Sequence, residues 1–168
     1  MQTRARALWL AAAATFLVAC GSSTSPASKI VNFTANMVPG NEPAVTGNPT
    51  GSGTFTATLD TSTNVFTYSA TFSGLSTNIT AGHIHGPFPN GQTSAGVILN
   101  FGTVGTFTGV GTTSGSVSGT VTLNSATQFT SAVNGDSLRK LLLAGAVYVN
   151  IHTQQNPAGE IRGQISIK

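Results

Sequence analysis

The stretch G-T-F-T-A-T-L-D at residues 53–60 is followed by T-S-T-N and then by V-F-T-Y-S-A-T-F at 65–72. Successive side chains of a β-strand point to opposite faces. Phe55, Ala57 and Leu59 therefore share one face of the first segment, and Phe66, Tyr68, Ala70 and Phe72 share one face of the second. Threonine and serine fill the opposite faces, where small or β-branched polar side chains suit a solvated pleat. A helix would scatter these apolar residues around its circumference, so the pattern predicts a hairpin. An apolar sheet face has to be covered by a second layer. The same alternation recurs at 30–37, 79–86, 95–101, 146–153 and 160–167, with weaker glycine-rich versions at 106–110 and 115–123. About eight strands with turns every ~8–12 residues predict a single all-β antiparallel sandwich or barrel.

One helix interrupts the pattern. In N-G-D-S-L-R-K-L-L-L-A-G, residues 134–145, Leu138, Leu141 and Leu142 recur at i, i+3 and i+4 and form an apolar stripe. Asp136 is the expected N-cap, accepting from amides that lack a helical partner, and Gly145 is the expected stop. Arg139 and Lys140 fall on the solvated side. The segments 38–51, 87–94 and 154–159 are crowded with Pro, Gly and Asn and read as loops.

The first residues differ in kind. Arg4 and Arg6 precede the apolar run A-L-W-L-A-A-A-A-T-F-L-V-A at 7–19. Spanning a bilayer takes about 20 apolar residues, so residues 1–19 read as a signal peptide. The run ends L-V-A-C, with Leu17 three residues before Cys20, the single cysteine of the chain. That ending resembles the bacterial lipobox, whose cysteine is lipidated and becomes the first residue after cleavage. Cys20 is accordingly expected to carry lipid and to be the membrane contact. Residues 20–29, including G-S-S-T-S-P-A-S, then act as a flexible tether, and 30–168 form the folded domain. These features predict a lipid-anchored protein of the bacterial cell envelope, outside the cytoplasm. Gly21, where an aspartate would retain some lipoproteins at the inner membrane, favours the outer membrane or cell surface.

Charge excludes one class of partner. Without Arg4 and Arg6, five basic and four acidic side chains remain. Lys29, Arg139, Lys140, Arg162 and Lys168 form no cluster suited to phosphates, so no nucleic-acid partner is expected. With no second cysteine, stability has to come from the core, and the 149 residues after the signal peptide are enough to build one. Glu42, Asp60, Asp136 and Glu160 lie in no nucleophile or paired-carboxylate context. No glycine-rich loop leads into a helix to cradle phosphate. The chain is not expected to be an enzyme.

All three histidines fall in two strand motifs, A-G-H-I-H-G-P at 81–87 and Y-V-N-I-H-T at 148–153. His83 and His85 share a face, about 6.6 Å apart at ~3.3 Å per residue, and Ile84 points the other way, toward the core. Likewise Val147, Val149 and Ile151 face the core, while Tyr148, Asn150 and His152 face outward. If the two strands are neighbours, His83, His85 and His152 meet on one polar face. Three neutral imidazoles suit copper or zinc and leave a position for water or a fourth ligand. The alternative is that these rings only hydrogen-bond loop backbone. Glu160, the nearest carboxylate in sequence, is either a metal ligand or a group that orients a histidine, or else the partner of Arg162 in an ion pair worth little. The ion pair is the favoured reading. Phe88 is expected to fold back over the end of the sheet.

Four blocks carry a family resemblance: F-T-A-N-M-V-P-G-N-E-P-A-V (33–45), the hairpin ending F-S-G-L (72–75), I-T-A-G-H-I-H-G-P (79–87), and L-L-A-G-A-V-Y-V-N-I-H-T-Q-Q-N-P-A-G-E-I-R-G-Q-I (142–165). Together they resemble the CHRD domain, a module first described in chordin and widespread in secreted bacterial proteins. The resemblance implies an immunoglobulin-like or Cu,Zn superoxide dismutase-like antiparallel β-sandwich, here with one short helix. The His-x-His is similar to the copper-ligand arrangement of that dismutase. The enzyme, however, uses more histidines, a zinc-bound aspartate and a structural disulfide, so the likeness does not extend to its activity. The family's usual Glu-Val-Pro-Pro is shortened here to Glu42-Pro43-Ala44, and the resemblance assigns that loop no role. Two functions stay open. One is a non-enzymatic binding or structural module that meets an envelope protein or polymer. The other is a copper- or zinc-binding protein using His83, His85 and His152.

Overall fold

The structure, a computed structural model, describes residues 29–88 and 93–168. The expected signal peptide, Cys20 with the tether up to residue 28, and residues 89–92 of the 87–94 loop lie outside the described residues. The alternating segments form β1 (Ile30–Met37), β2 (Ser52–Asp60), β3 (Val65–Ser73), β4 (Ile79–His85), β5 (Val97–Asn100), β6 (Thr106–Thr108), β7 (Gly115–Thr122), β8 (Tyr148–Thr153), β9 (Ile161–Gln164) and β10 (Ser166–Ile167). Helix α1 (Gly135–Leu143) separates β7 from β8. The strands pair antiparallel into a six-stranded sheet, β10-β1-β2-β3-β7-β6, and a four-stranded sheet, β5-β4-β8-β9. This is the all-β sandwich the alternation predicts.

The β2–β3 hairpin sets Phe55 opposite Ala70, Ala57 opposite Tyr68 and Leu59 opposite Phe66. All six are buried, and they meet Ile84, Leu99, Val149 and Ile151 of the smaller sheet in one core. Burying each large apolar side chain contributes about 1.5–3 kcal/mol. Tyr68 packs its ring 5.5 Å from that of Phe101 and donates its hydroxyl proton to the Val104 carbonyl, so its polar tip is satisfied inside the core.

Two local expectations change. Segment 160–167 reads as one strand but divides between the sheets: β9 pairs with β8, and β10 pairs with β1. Ile165, fully buried between them, keeps the inward alternation while the chain crosses over. At the same corner Val38 and Arg162 exchange backbone hydrogen bonds of 3.1 and 3.3 Å, joining β9 to the end of β1. The helix N-cap is Asn134, not Asp136. Asn134 has extended backbone angles, and its side-chain oxygen accepts from the Ser137 amide at 3.0 Å. Asp136 therefore sits inside the first turn, where its charge still complements the helix dipole. Gly145 follows the last turn with φ +64°, the left-handed conformation that glycine adopts without a Cβ clash. Leu138 and Leu142 are fully buried, while Leu141 is only partly so.

Candidate metal centre

The two histidine strands are neighbours. In the β4–β8 register, Ala81 faces His152, His83 faces Asn150, Ile84 faces Val149 and His85 faces Tyr148. Ile84 and Val149 are fully buried on the core side, which sends His83, His85 and His152 to the other side together. The ring centroids lie 5.4 Å apart for His83–His85, 4.7 Å for His83–His152 and 5.9 Å for His85–His152. One nitrogen from each ring lies within 4.8 Å of the others. Most of this face is closed to solvent, with His83 half-buried. His85 is 7% exposed, His152 8% and Asn150 1%, because Glu42, Thr93, Ala95 and Pro157 arrive on loops that close over it.

The hydrogen bonds fix which nitrogens are free. His85 Nδ1 lies 2.9 Å from the Ala95 carbonyl, and His152 Nδ1 lies 2.9 Å from the Pro157 carbonyl. A carbonyl oxygen only accepts, so each Nδ1 donates and each Nε2 keeps a lone pair. Metal-ligating histidines are held in this way. His83 Nδ1 lies 2.9 Å from His152 Nε2, and since that Nε2 accepts, His83 donates. His85 Nε2 is buried with no hydrogen-bond partner. Burial holds all three rings below their ordinary pKa of 6.5. The proximity of His152 and His85 adds to this at His83, which falls to about 4, while the Ala95 and Pro157 carbonyls partly offset it at His85 and His152. At neutral pH the cluster is therefore three neutral imidazoles. Three nitrogens each 2.0–2.1 Å from one ion stand about 3.3 Å apart, so an ion held by all three would need the rings drawn together and the His83 proton moved from Nδ1 to Nε2.

A stacked wall stands beside the cluster. Tyr148 lies parallel to His85, with centroids 4.9 Å apart and planes 3° apart. The Arg162 guanidinium carbon is 3.7 Å from the Tyr148 ring centroid and 4.5 Å from that of Phe88. Because β8 lies between β4 and β9, Tyr148 takes His85 from one neighbouring strand and Arg162 from the other. Phe88 does fold back, its ring edge-on to Tyr148 at 5.0 Å. Arg162 donates to the Thr93 carbonyl at 2.9 Å and pairs with Glu42 at 3.9 Å. Glu42 in turn accepts from Asn150 Nδ2 at 3.2 Å, and burial pushes its carboxyl above the ordinary value against the pull of Asn150 and Arg162.

Glu160 has different partners from those the sequence suggests. Its carboxylate is fully buried and accepts from the Ser76 amide at 2.6 Å, the Ser76 hydroxyl, the Thr153 hydroxyl at 2.7 Å and the Asn156 amide at 3.3 Å. Burial alone would raise its pKa, but these hydrogen bonds outweigh it and hold the group below 4.5. Neither a histidine nor Arg162 is among these partners. Glu160 precedes β9, so strand alternation does not put its side chain beside that of Arg162, and it clamps the 153–160 loop to Ser76 instead. The carboxylate that does reach Arg162 is Glu42, from the loop to which the resemblance assigns no role. Asn150 was legible as a neighbour of His152 on the same strand face. Glu42 carried no such signal.

A family model of the CHRD domain matches residues 33–165. The chain belongs to the CHRD-domain family. No curated protein and no solved structure matches it. The matched span of the CHRD domain includes His83, His85 and His152 together with Glu42, Asn150 and Arg162, so the whole centre lies within it. Membership supports a non-enzymatic binding module, CHRD domains being no known enzyme family.

Proposed function

We propose that this CHRD domain is a non-enzymatic binding module whose ligand is one copper or zinc ion held by His83, His85 and His152, and that it works in the bacterial envelope on a lipid tether at Cys20. One observation carries the metal reading. Two imidazoles have Nδ1 pinned to backbone carbonyls, while the lone pair on His85 Nε2 is buried and unpaired. Hydrogen bonding to loop backbone accounts for the Nδ1 atoms only. It leaves the Nε2 of His85 orphaned, at a cost of about 1–3 kcal/mol, whereas an ion uses it. Glu42 and Glu160 are both engaged elsewhere. Three neutral nitrogen donors suit copper or zinc, not the oxygen-seeking calcium or magnesium. Burial under three loops favours holding an ion over turning over a substrate. The envelope reading is supported by Leu17, Cys20 and the apolar run before them.

The test is metal analysis of the mature chain purified without an affinity tag. About one copper or zinc per chain is expected, lost in His85→Ala. Saturation at a hundredfold excess over the dissociation constant stabilises the fold by about 2.7 kcal/mol, a shift readily seen in thermal unfolding. A chain that holds no metal, and whose unfolding midpoint ignores added copper and zinc, overturns the proposal. For the tether, labelled fatty acid should enter the wild type but not Cys20→Ser.

A further inference from the structure

The ion's three imidazoles are one donor short of the four that zinc usually takes. Asn150 stands on the same face as the imidazoles. It is 1% exposed, faces His83 across the strand pair, and gives its Nδ2 to Glu42 Oε1 at 3.2 Å. Glu42 thereby fixes the amide's orientation and leaves Oδ1 as its free end, and the Asn150 side chain lies close enough to His85 to favour the charged imidazole. Oδ1 of Asn150 and Nε2 of His85 are both buried, and neither has a hydrogen-bond partner. With the His85 proton held on Nδ1 by the Ala95 carbonyl, both are acceptors, so the neutral pair cannot satisfy each other. A metal ion bound at the nitrogen and carrying a water molecule that donates a proton to the oxygen satisfies both.

We infer that the bound ion keeps one exchangeable position for water, and that Asn150, aimed by Glu42, holds that water through Oδ1. The inference rests on the metal reading above and names the occupant of its fourth position. The supporting groups are built closely around the Glu42–Asn150 pair. Arg162 holds the far side of Glu42 at 3.9 Å. Gly159 passes so near that a Cβ there would lie 2.3 Å from Glu42 Oε1 and 2.8 Å from Asn150 Nδ2. Asn150 is in these terms a positioning residue, acting on the ion through the water.

Cobalt(II), whose visible absorption reports its coordination, and azide, which displaces bound water, test this directly. Wild type is expected to take one cobalt per chain and to change its spectrum on azide addition. Asn150→Ala should still take cobalt, about 10-fold more weakly, as loss of an outer hydrogen-bonding partner typically does. It should bind azide about fivefold more tightly, because the water it displaces has lost one hydrogen bond. Asn150→Leu, close to asparagine in shape, carries the same two measurements if the alanine variant does not fold. Cobalt and azide constants equal to wild type in a folded Asn150 variant overturn the inference, as does a cobalt-loaded wild type that ignores azide. A wild type that takes no cobalt, like His85→Ala, instead fails the metal reading beneath it.

Discussion

In metal-free protein, His83 should make the fold acid-sensitive well above the range in which carboxylates titrate. Its imidazole has a pKa of about 4 in the folded state against 6.5 for the free side chain, because of burial and then of the two neighbouring rings. The folded state thus binds this proton less readily than the unfolded chain, so acid favours unfolding. The associated stability is complete above about pH 6.5 and is lost as pH falls toward 4. At 1.36 kcal/mol per pKa unit the full effect between pH 7 and pH 5 is about 1.8 kcal/mol. His83 is only partly buried, and solvent screening reduces this to roughly 1 kcal/mol, or about 3–4 °C in the unfolding midpoint of a domain this size. His85 and His152, also lowered by burial, act in the same sense, while Glu42, raised by burial, acts in the opposite one. Comparing wild type with His83→Gln removes most of these shared contributions. Calorimetry of both proteins in chelator at about pH 7 and pH 5 should show the wild-type midpoint falling about 3–4 °C further than that of the variant. Equal drops would refute the assignment of a buried, proton-averse cluster. Saturating zinc should raise the wild-type midpoint at pH 7 and lose that effect only as pH falls toward 4, where protons compete for the His83 nitrogen in the folded state.

Glu160→Gln should cost about 3 kcal/mol in denaturant unfolding, since a neutral amide replaces a carboxylate that accepts four hydrogen bonds and turns an N–H₂ toward one of the donors. Its metal stoichiometry should equal that of wild type; loss of metal in this variant would place Glu160 in the centre. Because the Glu160 pKa is depressed, its contribution is present above about pH 4.5 and disappears as pH falls further. Gly159→Ala should cost about 1–3 kcal/mol, because φ is +135° and the new Cβ drives into Glu42. It should also weaken metal binding by displacing the Glu42–Asn150 pair, and a titration with unchanged affinity would show that the pair does not bear on the ion.

Strand alternation was enough to read half of the centre. Ile84 between His83 and His85, and the Val147–Val149–Ile151 row beside Tyr148, Asn150 and His152, assign inner and outer faces with no knowledge of the fold, and the buried core follows them. The sequence does not say that the outer face of the small sheet is itself covered. Its residues are polar, as on a solvated face, yet every residue of β8 is buried. The cover comes from loops whose composition records turns and not destinations. Glu42 reaches Asn150 from 108 positions away, and Arg162 meets it from the last third of the chain. Nothing local marks either approach. The same limit explains Glu160: a carboxylate two residues from Arg162 looks like its partner only while both are assumed to lie on one strand.

The separation of faces also decides how a histidine variant can be interpreted. Ile84, Val149 and Ile151 hold the small sheet to the large one from the side opposite the imidazoles, and all three are fully buried. Removing the His85 side chain leaves that layer intact. The hydrogen bond it makes, to the Ala95 carbonyl, belongs to a loop and not to the sheet ladder. Its buried Nε2 is an unpaired acceptor in the metal-free state, so truncating it also removes a desolvation cost. Truncation also takes away the ring stacked on Tyr148 and leaves the Ala95 carbonyl without its donor, so metal-free His85→Ala should be about 1–3 kcal/mol less stable than wild type. The ion's part is the further separation of the two denaturation curves on adding zinc. Curves whose separation in chelator is unchanged by zinc would place the role of His85 in packing, and the histidines would then be a structural feature of the CHRD sandwich.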